Sequence, residues 1–106
     1  MGSMSILMVT YVGDSTSRFD RKYYDTQHIS LVQQAWGQFG LQRTEVFYAV
    51  DAGQYPDVVV MCLCHFADRA GLDRALAAAE SESVVADIAS FTDITPMRTI
   101  IAAAAS

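Results

Sequence analysis

Phe19 to Trp36 reads FDRKYYDTQHISLVQQAW, and this stretch decides the fold. Asp20 is an N-cap, because its short carboxylate accepts from the free backbone N–H groups of a first helical turn. Phe19 and Tyr24 flank it as a hydrophobic staple. Gly37 follows the last apolar residue and is expected to end the helix in the left-handed conformation. At about 100° per residue, Tyr24, His28, Leu31 and Ala35 share one stripe, with Tyr23, Gln27 and Ser30 beside it. A phenol, an imidazole and an apolar wall therefore lie on one helical face.

Working outward, Ser5 to Val12 (SILMVTYV) is a short β-rich run. Ile6, Met8 and Val12 face one way; Leu7, Val9 and Tyr11 face the other. The polar loop GDSTSR leads into the helix. Beyond it, 37–42 is a connection. Arg43 to Val50 is a second strand, DAGQYP a hairpin-type turn, and Asp57 to Phe66 (DVVVMCLCHF) a third strand, apolar on both faces. Ala67 to Ala79 is helical, with Asp68 as N-cap and Leu72, Ala75, Leu76 and Ala79 inward. Glu80 to Ser90 keeps helical spacing through Val84, Val85 and Ile88. Glu80, Glu82 and Asp87 read as a solvated face. Thr95 to Ala102 is a fourth strand, with Met97, Thr99 and Ile101 on one face and Ile100 on the other. Pro96 suits its start.

The order β-α-β-β-α-β predicts a ferredoxin-like α+β sandwich, with an antiparallel sheet and both helices on one face. Strands one and three are apolar front and back, so the bare sheet face needs cover. A homodimer packed through its sheet faces, as a dimeric α+β barrel, is the expected answer.

Composition sets the limits. The chain has 106 residues, enough for one domain, here 4–103. Met1 to Ser3 read as a cloning scar. The composition is 52% hydrophobic and only 18% charged, apolar for so small a domain. A net charge of −5 argues against nucleic acid and anionic membrane as partners. No apolar run approaches the roughly 20 residues of a membrane span, and no signal peptide is visible, so a cytoplasmic location is expected. Cys62 and Cys64 read as small core residues of a reducing compartment, their spacing unfavourable for a disulfide. His65 points away from both, so no metal site is expected; nor does any motif call for a cofactor.

Phe19-Asp20-x-x-Tyr23-Tyr24-x-x-x-His28-x-x-Leu31-Val32 resembles the signature of the EthD family, within the dimeric α+β barrel superfamily. Ala86-Asp87-Ile88-x-x-Phe91-Thr92-Asp93-x-x-Pro96 is similar to that family's C-terminal motif. One departure is Ser30, where members commonly carry proline. The resemblance implies a dimeric ferredoxin-like protein with a small pocket in each subunit, between helices and sheet. Wider relatives on the fold range from cofactor-free monooxygenases to cyclases, dehydratases and isomerases, so function must be argued from the site.

The candidate catalytic pair is His28 and Tyr24. An imidazole titrates near neutral pH, and a phenol one turn away can bond to it or to a substrate oxygen. Asp93 is a candidate to hold His28 in one tautomer; the alternative is a structural histidine joined to a loop, for example through Asp93. Tyr23, Leu31, Trp36, Phe91 and Asp93 are the candidate substrate-binding residues, although a tryptophan such as Trp36 more often serves core or dimer packing than as a ligand platform. Two functions compete. One is cofactor-independent acid/base chemistry on a small apolar or aromatic oxygenated metabolite, of isomerase, dehydratase, cyclase or lyase type. The other is a non-catalytic accessory protein that binds such a metabolite for an oxygenase or catabolic pathway. A purely structural dimer is a third.

Overall fold

Four strands form one antiparallel sheet in the order β2-β3-β1-β4, in a computed structural model that describes residues 4–14, 16–50, 57–102 and 104. Residues 1–3, expected to be a cloning scar, and 51–56, expected to be a hairpin-type turn, lie outside the described residues. The strands are β1 Ser5–Gly13, β2 Leu41–Tyr48, β3 Asp57–Phe66 and β4 Met97–Ile101. β2 begins two residues earlier than its apolar pattern predicts, because Leu41 pairs with Phe66 across a bulge. The expected ferredoxin-like α+β fold is what the chain adopts.

The first helix is one rod in three parts: α1 Arg21–Tyr23, a π turn Tyr24–His28, and α2 Ile29–Trp36. Asp20 caps it, accepting from the Tyr23 N–H at 3.0 Å, and the Phe19 and Tyr24 rings meet at 5.1 Å. The rod does not stop at Gly37, which stays right-handed. It tightens into a 3-10 turn, Gly37–Phe39, and ends at Gly40, whose φ of 95° only glycine takes without strain. Two more helices follow, α3 Arg69–Ala77 and α4 Glu80–Asp87, parted where Ala78 turns extended.

The π turn corrects the stripe read from the sequence. Its wider turn carries one residue more than an α turn. The inward face therefore runs Tyr24, His28, Val32, Trp36, with Ala35 beside it, and Leu31 is displaced to a half-buried flank. Hydroxyls cover two carbonyls of this stretch: Thr26 Oγ1 donates to Lys22 O at 2.7 Å and Ser30 Oγ to Thr26 O at 3.2 Å. Ser30 thus sits in α2, directly after the π turn, with its hydroxyl bonded one turn back.

Leu7, Tyr11, Val60, Cys62, Cys64 and Phe66 form the floor of the core, and Trp36, Leu72, Ala75 and Val84 its roof. Burying each large apolar side chain is worth about 1.5–3 kcal/mol. The opposite sheet face carries Ile6, Met8, Met61, Leu63, Phe47 and Met97. Phe47 and Met97 are exposed, so the apolar second face inferred from the sequence is there, bare in the single chain. His65 lies on that face, 2.5 Å from Glu45 and away from the cysteines. Among the described residues no helix is long and apolar enough to cross a membrane.

Candidate functional site

The two motifs meet in space. The backbone N–H of Asp20 donates to Phe91 O at 2.8 Å, Phe19 bridges to Thr92, and Thr92 Oγ1 donates to Arg18 O at 2.6 Å. This seam fixes the start of the first helix against the end of α4, which sets the geometry between them.

Asp87 Oδ2 lies 2.9 Å from His28 Nδ1, and Asp87 Oδ1 accepts from the Tyr23 hydroxyl at 2.6 Å. The three form a chain, Tyr23 to Asp87 to His28. The carboxylate partner is therefore Asp87 and not Asp93. Asp93 is 77% exposed and paired with Arg18 at 3.1 Å. Asp87, whose sequence context suggests a solvated face, has a side chain only 16% exposed, and that of His28 is 5% exposed. The sequence does carry a signal for this: Asp87 follows inward Val84 by three residues and precedes Ile88, so it lies at the edge of the inward stripe.

Electrostatics follow from burial and bonding. Burial pulls the His28 pKa down from 6.5, and the bond and charge of Asp87 restore only part of it. Burial works to raise Asp87, but donation from Tyr23 and His28 outweighs it and holds the carboxyl below the ordinary range. At neutral pH the imidazole is neutral and Asp87 is charged. A carboxylate accepts only from Nδ1–H, so that tautomer is selected and Nε2 keeps its lone pair. Burial pushes the Tyr24 and Tyr11 phenols far up, so both remain neutral hydroxyls.

His28 lines a hollow between helices and sheet, together with Tyr24, Val32 and Trp36 from the first helix, Val84 and Ile88 above, and Tyr11, Cys62, Cys64 and Arg98 from the strands. It is narrow: about 20 Å³ is free to the centre of a water molecule, within about 370 Å³ of open space counted to its mouth. The Tyr24 and His28 rings stack with centroids 5.5 Å apart. Trp36 Nε1 donates to Ser81 Oγ at 2.8 Å, so its position is held from behind. Cys62 and Cys64 have Sγ atoms 3.8 Å apart, in contact but unbonded.

Four candidates named from the sequence fall outside this lining, the exposed Asp93, paired with Arg18, being one of them. Leu31 is moved off it by the π turn. Phe91 is fully buried behind His28, with ring centroids 4.6 Å apart, and supports the imidazole from below. Tyr23 touches Asp87 and not the hollow. The strand residues Tyr11, Cys62, Cys64 and Arg98 are not singled out by any motif. Their alternation on β1, β3 and β4 assigns them to the helix-covered face, but only the strand order brings them under His28.

No family model matches the sequence, and neither does any curated protein. Solved structures do. The chain is similar to an EthD-like protein from Ralstonia eutropha, at 25% identity and TM-score 0.80 over 95% of this chain and 92% of that one. It is also similar to an EthD family protein from Bacillus halodurans, at 19% identity and TM-score 0.72 over 96% and 100%. A cofactor-independent oxygenase from Streptomyces nogalater shares the fold, at 12% identity and TM-score 0.57 over 97% and 94%. The EthD resemblance read from the two motifs and the ferredoxin-like fold agree with these structures.

Proposed function

We propose that this chain, an EthD-like protein of the dimeric α+β barrel fold, binds a small apolar or aromatic oxygenated metabolite and moves a proton on it without a cofactor. The observation that carries this reading is the Tyr23–Asp87–His28 chain ending at the hollow. Asp87 holds Nδ1–H, and Nε2 acts as general base toward a bound substrate. Once protonated, the imidazolium is stabilised by the adjacent carboxylate and can return the proton to another substrate atom. Such transfer fits isomerisation, dehydration or cyclisation and is worth about 10²–10⁴ in rate. Tyr24, kept neutral, donates to the substrate oxygen that gains charge. Trp36 and Val32 give the flat apolar contact.

The working unit is a homodimer closed by the bare sheet faces. Exposed Phe47 and Met97, with Met8 and Leu63 between them, supply the apolar area.

The test is His28→Gln assayed against a panel of unsaturated lactones and polyketide-like phenols. A rate lowered at least a hundredfold with the fold intact supports the base; an unchanged rate removes it. The narrowness of the hollow favours a second reading, that of an accessory protein binding a metabolite without turnover. Ligand retained by His28→Gln, with no turnover by either form, would establish that one.

A further inference from the structure

We infer that Arg98 is an anion anchor at the mouth of the hollow, so the ligand is an apolar or aromatic body carrying one anionic oxygen group. This rests on the reading of the hollow as a ligand site.

Arg98 stands on β4, paired with Val9 across the ladder, and both line the hollow from the helix-covered face of the sheet. Most of the lining is buried and uncharged: Tyr11, Tyr24, Val32, Trp36, Cys62 and Cys64. Arg98 is exposed overall yet contributes to the same wall, as do Pro96 and Ile88, so it links the hollow to solvent.

The cation has no acidic partner among the described residues. Arg18, Arg43 and Arg69 pair with Asp93, Glu45 and Asp73. Arg21 covers the Tyr48 ring at 4.5 Å. Asp87, the acid beside the hollow, is committed to His28 and Tyr23. Arg98 is left lining an apolar hollow with no carboxylate paired to it among the described residues. A guanidinium presents a planar fork that matches the two oxygens of a carboxylate, or the single oxygen of a phenolate or enolate. Its charge also reaches the floor, where it favours the anionic forms of Cys64 and Tyr11 against the burial that opposes them. The same field would stabilise negative charge that develops on a substrate when His28 removes a proton. Arg98 and His28 thus bracket the hollow, one holding the anion and one taking the proton.

The experiment uses Trp36, the chain's single tryptophan, as reporter in the full-length protein. Its fluorescence is titrated with benzoate and with the neutral isostere benzamide, for wild type, Arg98→Gln and Arg98→Lys, each checked for fold by circular dichroism. Wild type is expected to prefer benzoate by at least tenfold. Arg98→Gln is expected to lose that preference with benzamide binding unchanged, and Arg98→Lys to keep part of it. Equal affinity of wild type for both probes, or a preference that survives Arg98→Gln, overturns the anchor and leaves the hollow standing as a ligand site. Failure of both probes to bind wild type overturns the anchor and the ligand-site reading together.

Discussion

His28 Nδ1 and Asp87 Oδ2 lie 2.9 Å apart although 59 residues separate them in the chain. One is on the first helix and the other ends α4. The seam between 18–20 and 91–92 holds those two helix ends together. The dyad is thus a product of packing between the two halves of the fold.

Asp87→Asn tests the orienting role directly. An amide can offer its NH₂ to Nδ1, which moves the proton to Nε2. Two-bond ¹⁵N–¹H correlation spectra of the histidine rings are expected to report Nδ1–H for wild-type His28 and Nε2–H for the variant. Any reaction using Nε2 as base then falls by a hundredfold or more, chiefly in kcat. The same tautomer in both proteins would remove Asp87 from the role.

Acid should loosen the fold through His28. Its pKa in the folded chain is below the 6.5 of the unfolded one, so between those values the unfolded chain binds the extra proton. The contribution is complete above about 6.5 and is lost as pH falls through the folded value. Asp87, also depressed, adds a loss further into the acid range. Melting temperatures from pH 7.5 to 5 should decline for wild type and decline less for His28→Gln. Parallel curves would show that the imidazole is not the titrating group.

Phe91→Ala removes the fully buried ring beneath His28, Tyr24 and Tyr11. A cavity of this kind costs about 3–5 kcal/mol. With about 4–8 °C lost per kcal/mol in a domain of this size, thermal unfolding should fall by more than about 10 °C. A drop of only a few degrees would mean that the aromatic cluster collapses to fill the gap.

Gly71→Ala should also destabilise. A methyl at Gly71 would overlap Phe39 O, a backbone atom that cannot swing aside. Separation of α3 from the 3-10 turn is expected to cost about 1–3 kcal/mol, read from the urea midpoint. An unchanged midpoint would place slack where the two elements touch.

Met8→Glu places a carboxylate in the middle of the bare sheet face, opposite Leu63 and Thr99. Sedimentation velocity is expected to give a dimer for wild type and a monomer for the variant, because the buried charge would have no partner. A wild-type monomer at micromolar concentration would refute the assembly itself.

Local patterns are enough for most of the architecture. The Asp20 cap, the Phe19–Tyr24 staple, the alternation of the strands and the order of elements are near-neighbour properties, and each is legible in the sequence. So are Tyr24 and His28 as residues of one inward face, because helical spacing is a local matter. The π turn is not legible, since no pattern of side chains announces one extra residue in a turn, and Val32 takes the inward place of Leu31 on that account. Gly37 and Gly40 are equally glycine in the sequence. Which one becomes left-handed depends on how far the 3-10 turn runs against Ala67, whose N–H donates to Gly40 O at 2.9 Å.

The chain's own order of residues determined a four-stranded sheet greasy on both faces, two helical segments to cover one of them, and an imidazole on the covered side. Only the tertiary structure decided which acid meets that imidazole and which strand residues close the hollow beneath it. Asp87 and Asp93 share one motif, but the turn between them sends one carboxylate inward to His28 and the other out to Arg18. That choice belongs to the packing of distant segments, because a hydrogen bond between them exists only after the backbone has brought its two ends within about 3 Å.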